Sequence, residues 1–260
     1  MVYFLSDAHL GSRAIADGKK HTQTVINLLL QMQQDATEIY LLGDIFDFWF
    51  EFYLGKPQGY DDVLDTLKQL TDYGIKIHYL IGNHDIWTFG WLAQRTGVIV
   101  YKKPIETIIQ GKHCYLAHGD GLVAKDTLQS YPKHIRRKIH HFMLLRQLFH
   151  SPSAQFLYRL LPPAFGNKFG YEWAKKSRLK ELNNPCPYKG EKNEELVGFA
   201  KEKEQTQHFD YYIFGHRHIE LDLELATHSR VIILGDMFKQ WTYAQMDEKG
   251  ELQLLNYEQS

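Results

Sequence analysis

Five short polar segments constrain this chain more than any other feature: Asp7-Ala-His9, Gly43-Asp44-Ile-Phe-Asp47, Gly82-Asn83-His84-Asp85, Ala117-His118-Gly119-Asp120 and Gly215-His216-Arg217-His218. Each stands directly behind an apolar run, the clearest being Val2–Leu5, Glu38–Leu42, Lys76–Ile81 and Tyr211–Phe214. A single Asp-x-His or Gly-Asp is most often a capped turn. Five of them, all at the ends of apolar runs, require a fold that gathers strand ends in one place. In open α/β sheets that place is the crevice beyond the carboxyl ends of the strands.

The rest of the chain agrees with that architecture. Val25, Leu28, Leu29 and Met32 recur at helical spacing within Thr22 to Gln33, and Asp62 to Tyr73 forms a second amphipathic segment. Strand, polar loop and helix therefore alternate, which predicts an α/β fold with a parallel sheet. Ile108-Ile109 and Cys114 to Ala117 read as strands of a second sheet, and Val231 to Leu234, Trp241 to Met246 and Leu252 to Tyr257 as a β-rich end. Between them lies a mostly helical insertion, drawn at 125–205, with breaks at Pro152, Pro162-Pro163 and Asn184-Pro185-Cys186-Pro187. The expected domains are thus a core of 1–124 and 206–260 and a helical cap of 125–205.

The five segments hold the donor types that a pair of divalent cations needs. A two-metal phosphoryl site takes an acidic bridge, imidazoles and carboxylates on either cation, and open positions for water and substrate, with the metals roughly 3.5–4 Å apart. Mixed nitrogen and oxygen donors suit Mn²⁺, with Fe, Co or Zn also compatible, whereas so many imidazoles argue against Mg²⁺ alone. His134, His140, His141 and His150, outside these segments, read as solvated helix faces. Glycines precede Asp44, Asn83 and His216, where the chain must turn and let side chains converge.

In this order the five segments resemble the calcineurin-like metallophosphoesterase superfamily. The resemblance implies a four-layer αββα sandwich, with Asp7, His9, Asp44 and His218 on one metal and Asp44, Asn83, His118 and His216 on the other, Asp44 bridging. Asp47, Asp85 and Asp120 would orient ligands. Asn83 would stabilise developing charge, and His84, oriented by Asp85, would protonate the leaving oxygen.

The whole-chain layout is similar to the UDP-2,3-diacylglucosamine hydrolase family of lipid A biosynthesis, through Asp44-Ile-Phe-Asp-Phe-Trp-Phe and the cap between the His-Gly-Asp and Gly-His-x-His segments. That family splits a pyrophosphate bond in a nucleotide-linked diacyl sugar, releasing UMP and lipid X. By this resemblance Asp126, Ser177 and Lys180 would contact the sugar and phosphate. The family usually carries Arg where this chain has His84, and Gly-Asn-His-Asp is the general superfamily form. Two other readings stay open: an esterase for soluble nucleotides or other phosphoesters, and a non-catalytic scaffold of the same fold.

Charge distribution bears on partners. The net charge of -1 gives no general affinity for polyanions, so no nucleic-acid partner is expected. Between Lys125 and Lys180, however, twelve cations face only Asp126 and Glu172, interleaved with residues such as Phe142, Leu145, Leu148, Phe149 and Phe165. A basic, greasy segment suits a nucleotide-linked lipid and contact with the inner membrane leaflet. Cys114 and Cys186 are far apart and lack a zinc spacing, which fits a reducing compartment. The start shows no basic n-region, and no apolar run nears the roughly 20 residues of a membrane span. A cytoplasmic protein, or one peripheral to the cytoplasmic membrane face, is expected; oligomeric state is not legible.

Overall fold

In the computed structural model, which describes residues 1–183 and 187–258, two sheets stack face to face between layers of helix. The first sheet has the order β11-β10-β1-β2-β3-β4. Its members are β1 (Val2–Leu5), β2 (Glu38–Leu42), β3 (Lys76–Leu80), β4 (Ile99–Tyr101), β10 (Thr242–Met246) and β11 (Leu252–Asn256). The second has the order β5-β6-β7-β9-β8, from β5 (Ile105–Ile109), β6 (Lys112–Ala117), β7 (Tyr211–Phe214), β8 (Glu220–Glu224) and β9 (Arg230–Leu234).

The expectation of a parallel sheet holds for part of each. Strands β1 to β4 pair in parallel, as do β6, β7 and β9. But β10 joins β1 antiparallel, Val2 opposite Met246, so the C-terminal strands complete the first sheet as an antiparallel edge. Mixed sheets of this kind are common where hairpins close a doubly wound core.

Side-chain alternation explains the layers. Tyr3 and Leu5 of β1 face α1 (Gly18–Met32) and α2 (Asp61–Asp72), packing on Val25, Leu28, Leu29, Val63 and Leu67. Val2 and Phe4 point the other way, against Leu116, Ile213 and Ile232 of the second sheet. Helix α1 begins where the Asp17 side chain accepts the Lys20 N–H at 2.9 Å. A short α3 (Trp91–Thr96) completes this side.

The fourth layer is α8 (Glu195–Glu204), whose Leu196, Val197 and Ala200 pack on Tyr212, Phe214, Val231 and Ile233. The cap boundary at 205 therefore moves. Helix α8 covers the outer face of the second sheet and we assign it to the core; α4 (Lys125–Ser130), α5 (Lys133–His150), α6 (Pro152–Arg159) and α7 (Pro163–Asn183) form the cap. The break read at Asn184-Pro185-Cys186 lies outside the described residues. Among the described residues no helix is long and apolar enough to cross a membrane.

Glu204 ties α8 to β7. Its carboxylate accepts the Phe209 N–H at 2.9 Å and the Tyr212 hydroxyl at 2.7 Å, with His208 Nδ1 at 3.0 Å. Burial opposes its charge, but the Tyr212 and Phe209 hydrogen bonds prevail and lower its pKa from the ordinary 4.5 to about 2. A depressed carboxylate stabilises the fold above its unfolded pKa, and that contribution disappears as pH falls through the folded value. Glu204→Gln should therefore cost about 1–3 kcal/mol at pH 7. The difference from wild type in urea unfolding should vanish between pH 4.5 and 2. A difference unchanged at pH 2.5 would contradict this account.

The cap is fastened by the aromatic run behind β2. Phe48, Phe50 and Phe52 are buried with Ile86, Trp87 and Ala174. Phe48 meets the Tyr171 ring edge-on at 5.2 Å, and Phe50 lies 4.6 Å from Tyr158. A Cβ at Gly170 would stand 2.1 Å from the Phe48 ring, so α7 can settle on this residue only with glycine at the contact.

Candidate metal centre

All five polar segments lie on loops that leave the carboxyl ends of β1, β2, β3, β6 and β7. Their backbone is unusual. Asp7, His9, Asp44, His216 and His218 have φ of 52°, 45°, 52°, 67° and 48°, and among the described residues only three other non-glycine residues have positive φ. Non-glycine residues resist the left-handed region, and such strain persists where surrounding structure enforces it. Here it turns five polar side chains inward.

Close approach of the loops depends on glycine. Gly43 has φ of 86°, and a Cβ there would meet Gly82 N at 2.6 Å and His118 Nδ1 at 2.8 Å. A Cβ at Gly82 would stand 2.1 Å from Asp44 Oδ1. The β2 and β3 loops can share one centre only because neither position carries a side chain.

The donors converge. Asp7, His9 and His218 form one compact group, His9, Asp44 and His84 a second, and Asp7, Asp44 and His118 a third, with the ligand atoms of each group within 4.8 Å of one another. Asp44 Oδ2 lies 3.8 Å from His9 Nε2 and 3.4 Å from His118 Nε2, between the two halves of the expected set. His218 Nε2 is 2.9 Å from Asp7 Oδ1, whose other oxygen accepts the His216 N–H at 2.8 Å. Asn83 Oδ1 is 3.3 Å from His118 Nε2. His118 Nδ1 donates to the Leu42 carbonyl at 2.8 Å, which leaves Nε2 facing the centre. A backbone partner on one ring nitrogen is how ligand imidazoles are commonly oriented.

The electrostatics call for positive charge. Burial would raise the pKa of Asp7, but His218 holds it well below the carboxylate range; Asp44 is likewise lowered by His118 and His84. Burial works against a charged His118, yet Asp44 and Asp7 raise it well above an ordinary histidine. His216 is pushed down to about 4 by burial and by His118. Three buried aspartates, Asp7, Asp44 and Asp47, thus stand among imidazoles that cannot all be protonated together. Divalent cations would satisfy this set, and the residues present fit them.

Several roles expected from sequence change. His84 is not held by Asp85: its Nδ1 donates to the Asp47 carbonyl at 2.7 Å and its backbone N–H to Asp44 Oδ1 at 2.8 Å. Asp85 instead accepts the Gly82 and Ile45 N–H groups and the Tyr79 hydroxyl, so it fixes the two loops rather than an imidazole. Burial lowers the His84 pKa, with Asp44 only partly opposing it, which favours the neutral ring. Asp47 does face a ligand candidate, 3.4 Å from His9 Nδ1. Asp120 does not orient an imidazole; it accepts from Arg146 Nε of α5 at 2.5 Å.

Of the expected substrate contacts, Ser177 on α7 borders a cavity of about 540 Å³ that reaches Asn83 and His216. Asp126, in the first turn of α4, is exposed and lines no part of it; Lys180 is exposed on α7 and also stands outside its lining. The walls are apolar, formed by Trp87, Phe142, Leu145, Leu148, Phe149 and Phe169 among others.

Two residues escaped the sequence reading. Arg178 of α7 is 2% exposed, its Nη2 2.6 Å from the His9 ring nitrogens and its Nη1 3.2 Å from His218 Nδ1. Glu194, fully buried, grips Arg217 through Nε at 2.6 Å and Nη2 at 3.1 Å, which steadies the loop between His216 and His218. Arg178 sits beside Ser177 in a basic helix, and only the cap's docking shows which cation turns inward.

Comparison with known proteins follows the same line. The calcineurin-like phosphoesterase family profile matches residues 1–220. A UDP-2,3-diacylglucosamine hydrolase of Porphyromonas gingivalis is 35% identical over 95% of this chain and 94% of its own length. One of Haemophilus influenzae is 28% identical over 96% of each. Among solved structures, a dimetal phosphatase from Danio rerio aligns over 99% of this chain and 98% of its own, with 12% identity and a TM-score of 0.45.

Proposed function

We propose, since the chain belongs to the calcineurin-like phosphoesterase family, that it is a metal-dependent hydrolase splitting the pyrophosphate bond of UDP-2,3-diacylglucosamine into UMP and lipid X, in lipid A biosynthesis. The observation that carries the reading is the meeting of a buried donor set with a greasy chamber at Asn83 and His216. A substrate that is anionic at its reacting end and carries two acyl chains matches both halves.

Asp7, His9, Asp44, Asn83, His118, His216 and His218 would hold two divalent ions, for which this mixed donor set favours Mn²⁺. When bound, those ions supply an activated water and neutralise charge on the phosphoryl oxygens. The protein does the remaining work by position. Backbone carbonyls hold His84 and His118 in single orientations, and the apolar walls of the chamber would exclude water once an acyl chain fills it. The family that the chain resembles usually carries arginine at the position of His84; here the buried Arg178 of the cap, 2.6 Å from the His9 ring, would supply a fork suited to phosphate oxygens.

The outer face of the cap supports contact with the inner membrane leaflet. Leu144, Leu157 and Phe165 are 63%, 64% and 66% exposed, among the cations of α5 to α7. Such a surface would let a cytoplasmic enzyme draw an acylated substrate from the bilayer.

The test is hydrolysis of UDP-2,3-diacylglucosamine by the Mn²⁺-loaded protein, reading UMP and lipid X. Turnover of this substrate at least about a hundredfold above that of a bis-aryl phosphodiester is expected. Cleavage of the diester alone would discard the lipid substrate and keep the phosphoesterase.

A further inference from the structure

The greasy chamber meets the donor set on its Asn83 and His216 side. A second cavity, of about 190 Å³, meets it on the His218 side, where His216, Arg217, His218, Phe238, Lys239 and Gln240 are among its lining residues. The two share His216 but differ in chemistry: one is walled almost wholly by aliphatic and aromatic side chains, whereas the other mixes the apolar Leu182, Pro187, Ile219 and Phe238 with Arg217, Lys239, Gln240 and Asp236.

The second cavity is firmly built. Asp236, 2% exposed, accepts the N–H groups of Phe238, Lys239 and Gln240 at 3.1, 2.6 and 2.9 Å, which locks the turn that forms its floor. Gln240 Nε2 donates to the His218 carbonyl at 3.1 Å, fastening the turn to the ligand loop. Phe238 meets the His9 and His218 rings edge-on at 5.8 and 5.4 Å, and Arg178 lies 5.1 Å from its centre. A half-buried aromatic ring is thus fixed beside the phosphoryl centre, with the exposed Lys239 next to it.

A pyrophosphate that joins a lipid sugar to a nucleoside has two ends, which must leave the centre in different directions for in-line displacement. The apolar chamber takes the acyl end. We propose that the second cavity is the nucleoside subsite, where Phe238 stacks on the pyrimidine base and Lys239 meets the anionic or ribose side of the nucleotide. This inference rests on the reading of the substrate as a nucleotide-linked lipid.

The experiment titrates UMP and ribose 5-phosphate, which lacks the base, into the Mn²⁺-loaded protein. A phosphate alone would bind near the metals, so the preference for UMP isolates the base. Wild type should prefer UMP by roughly tenfold, the worth of one aromatic stack. Phe238→Ala should erase the preference and Phe238→Tyr retain it, with metal content measured in each to show that the centre is intact. Lys239 is exposed and its replacement does not threaten folding; Lys239→Ala should weaken UMP binding severalfold at low salt. Equal affinity for the two ligands in wild type, or a preference that survives Phe238→Ala, would overturn the proposal. The two readings can fail separately. Lipid hydrolysis without base preference removes the subsite alone. Base preference lost in Phe238→Ala without lipid hydrolysis keeps a nucleotide site and removes the lipid.

Discussion

Asp44→Ala is expected to lower phosphoester hydrolysis by about 10³-fold or more and to leave fewer than two metals bound per chain. The Asp44 carboxylate stands between both halves of the donor set, 3.8 Å from His9 and 3.4 Å from His118. It also accepts the His84 N–H at 2.8 Å, so its loss frees the β3 loop as well. The substitution removes the group that raises the His118 pKa, leaving that imidazole buried with less reason to carry charge. Mn²⁺ content by elemental analysis and kcat for a phosphodiester should fall together. An Asp44→Ala protein that retains two ions and keeps activity within tenfold of wild type would show that Asp44 does not bridge.

Much of this centre is legible in sequence because strand ends impose it. An apolar run of four or five residues ending in a polar triplet places that triplet at a sheet's edge whatever the rest of the chain does. Asp7, Asp44, Asn83, His118, His216 and His218 all follow from that rule. The left-handed backbone at Asp7, His9 and Asp44 does not, since nothing in an Asp-x-His segment announces a positive φ.

Roles that depend on direction were harder to read. Asp85 follows His84 in the chain, yet its carboxylate points at Gly82, Ile45 and Tyr79, because neighbouring residues on a tight loop face different ways. Helix α8 carries three glutamates against two lysines, unlike the basic helices before it, but its contact with Tyr212 and Val231 is what places it in the core. Strand β10 follows the second sheet's strands in sequence but crosses to β1, a pairing set by the shared interior rather than by local pattern. Arg178 reads as one more cation on a basic helix until the glycine at 170 lets α7 settle on Phe48 and brings that cation to His9.

The size and character of the chamber lead to the other large effect, a steep dependence of kcat/KM on acyl length. Each methylene moved from water into an apolar site contributes about 0.8 kcal/mol, close to fourfold. Shortening one acyl chain by four carbons should therefore lower kcat/KM by up to about two hundredfold, an upper value because free lipid already hides part of its surface. A soluble phosphodiester handled by the same centre should show no such slope, since it does not enter the chamber. The length at which the slope flattens should depend on the walls. Ala154 lines the chamber beside Gln155 and Tyr158, and Ala154→Trp would fill part of its 540 Å³. That variant should lose about tenfold on the longest chains and little on short ones, which moves the optimum rather than lowering the whole series. A loss equal at every length would mean that the substitution disturbed the centre. A flat series in wild type would mean that Trp87, Phe149 and Phe169 line a packing defect of the cap and that the acyl chains bind elsewhere.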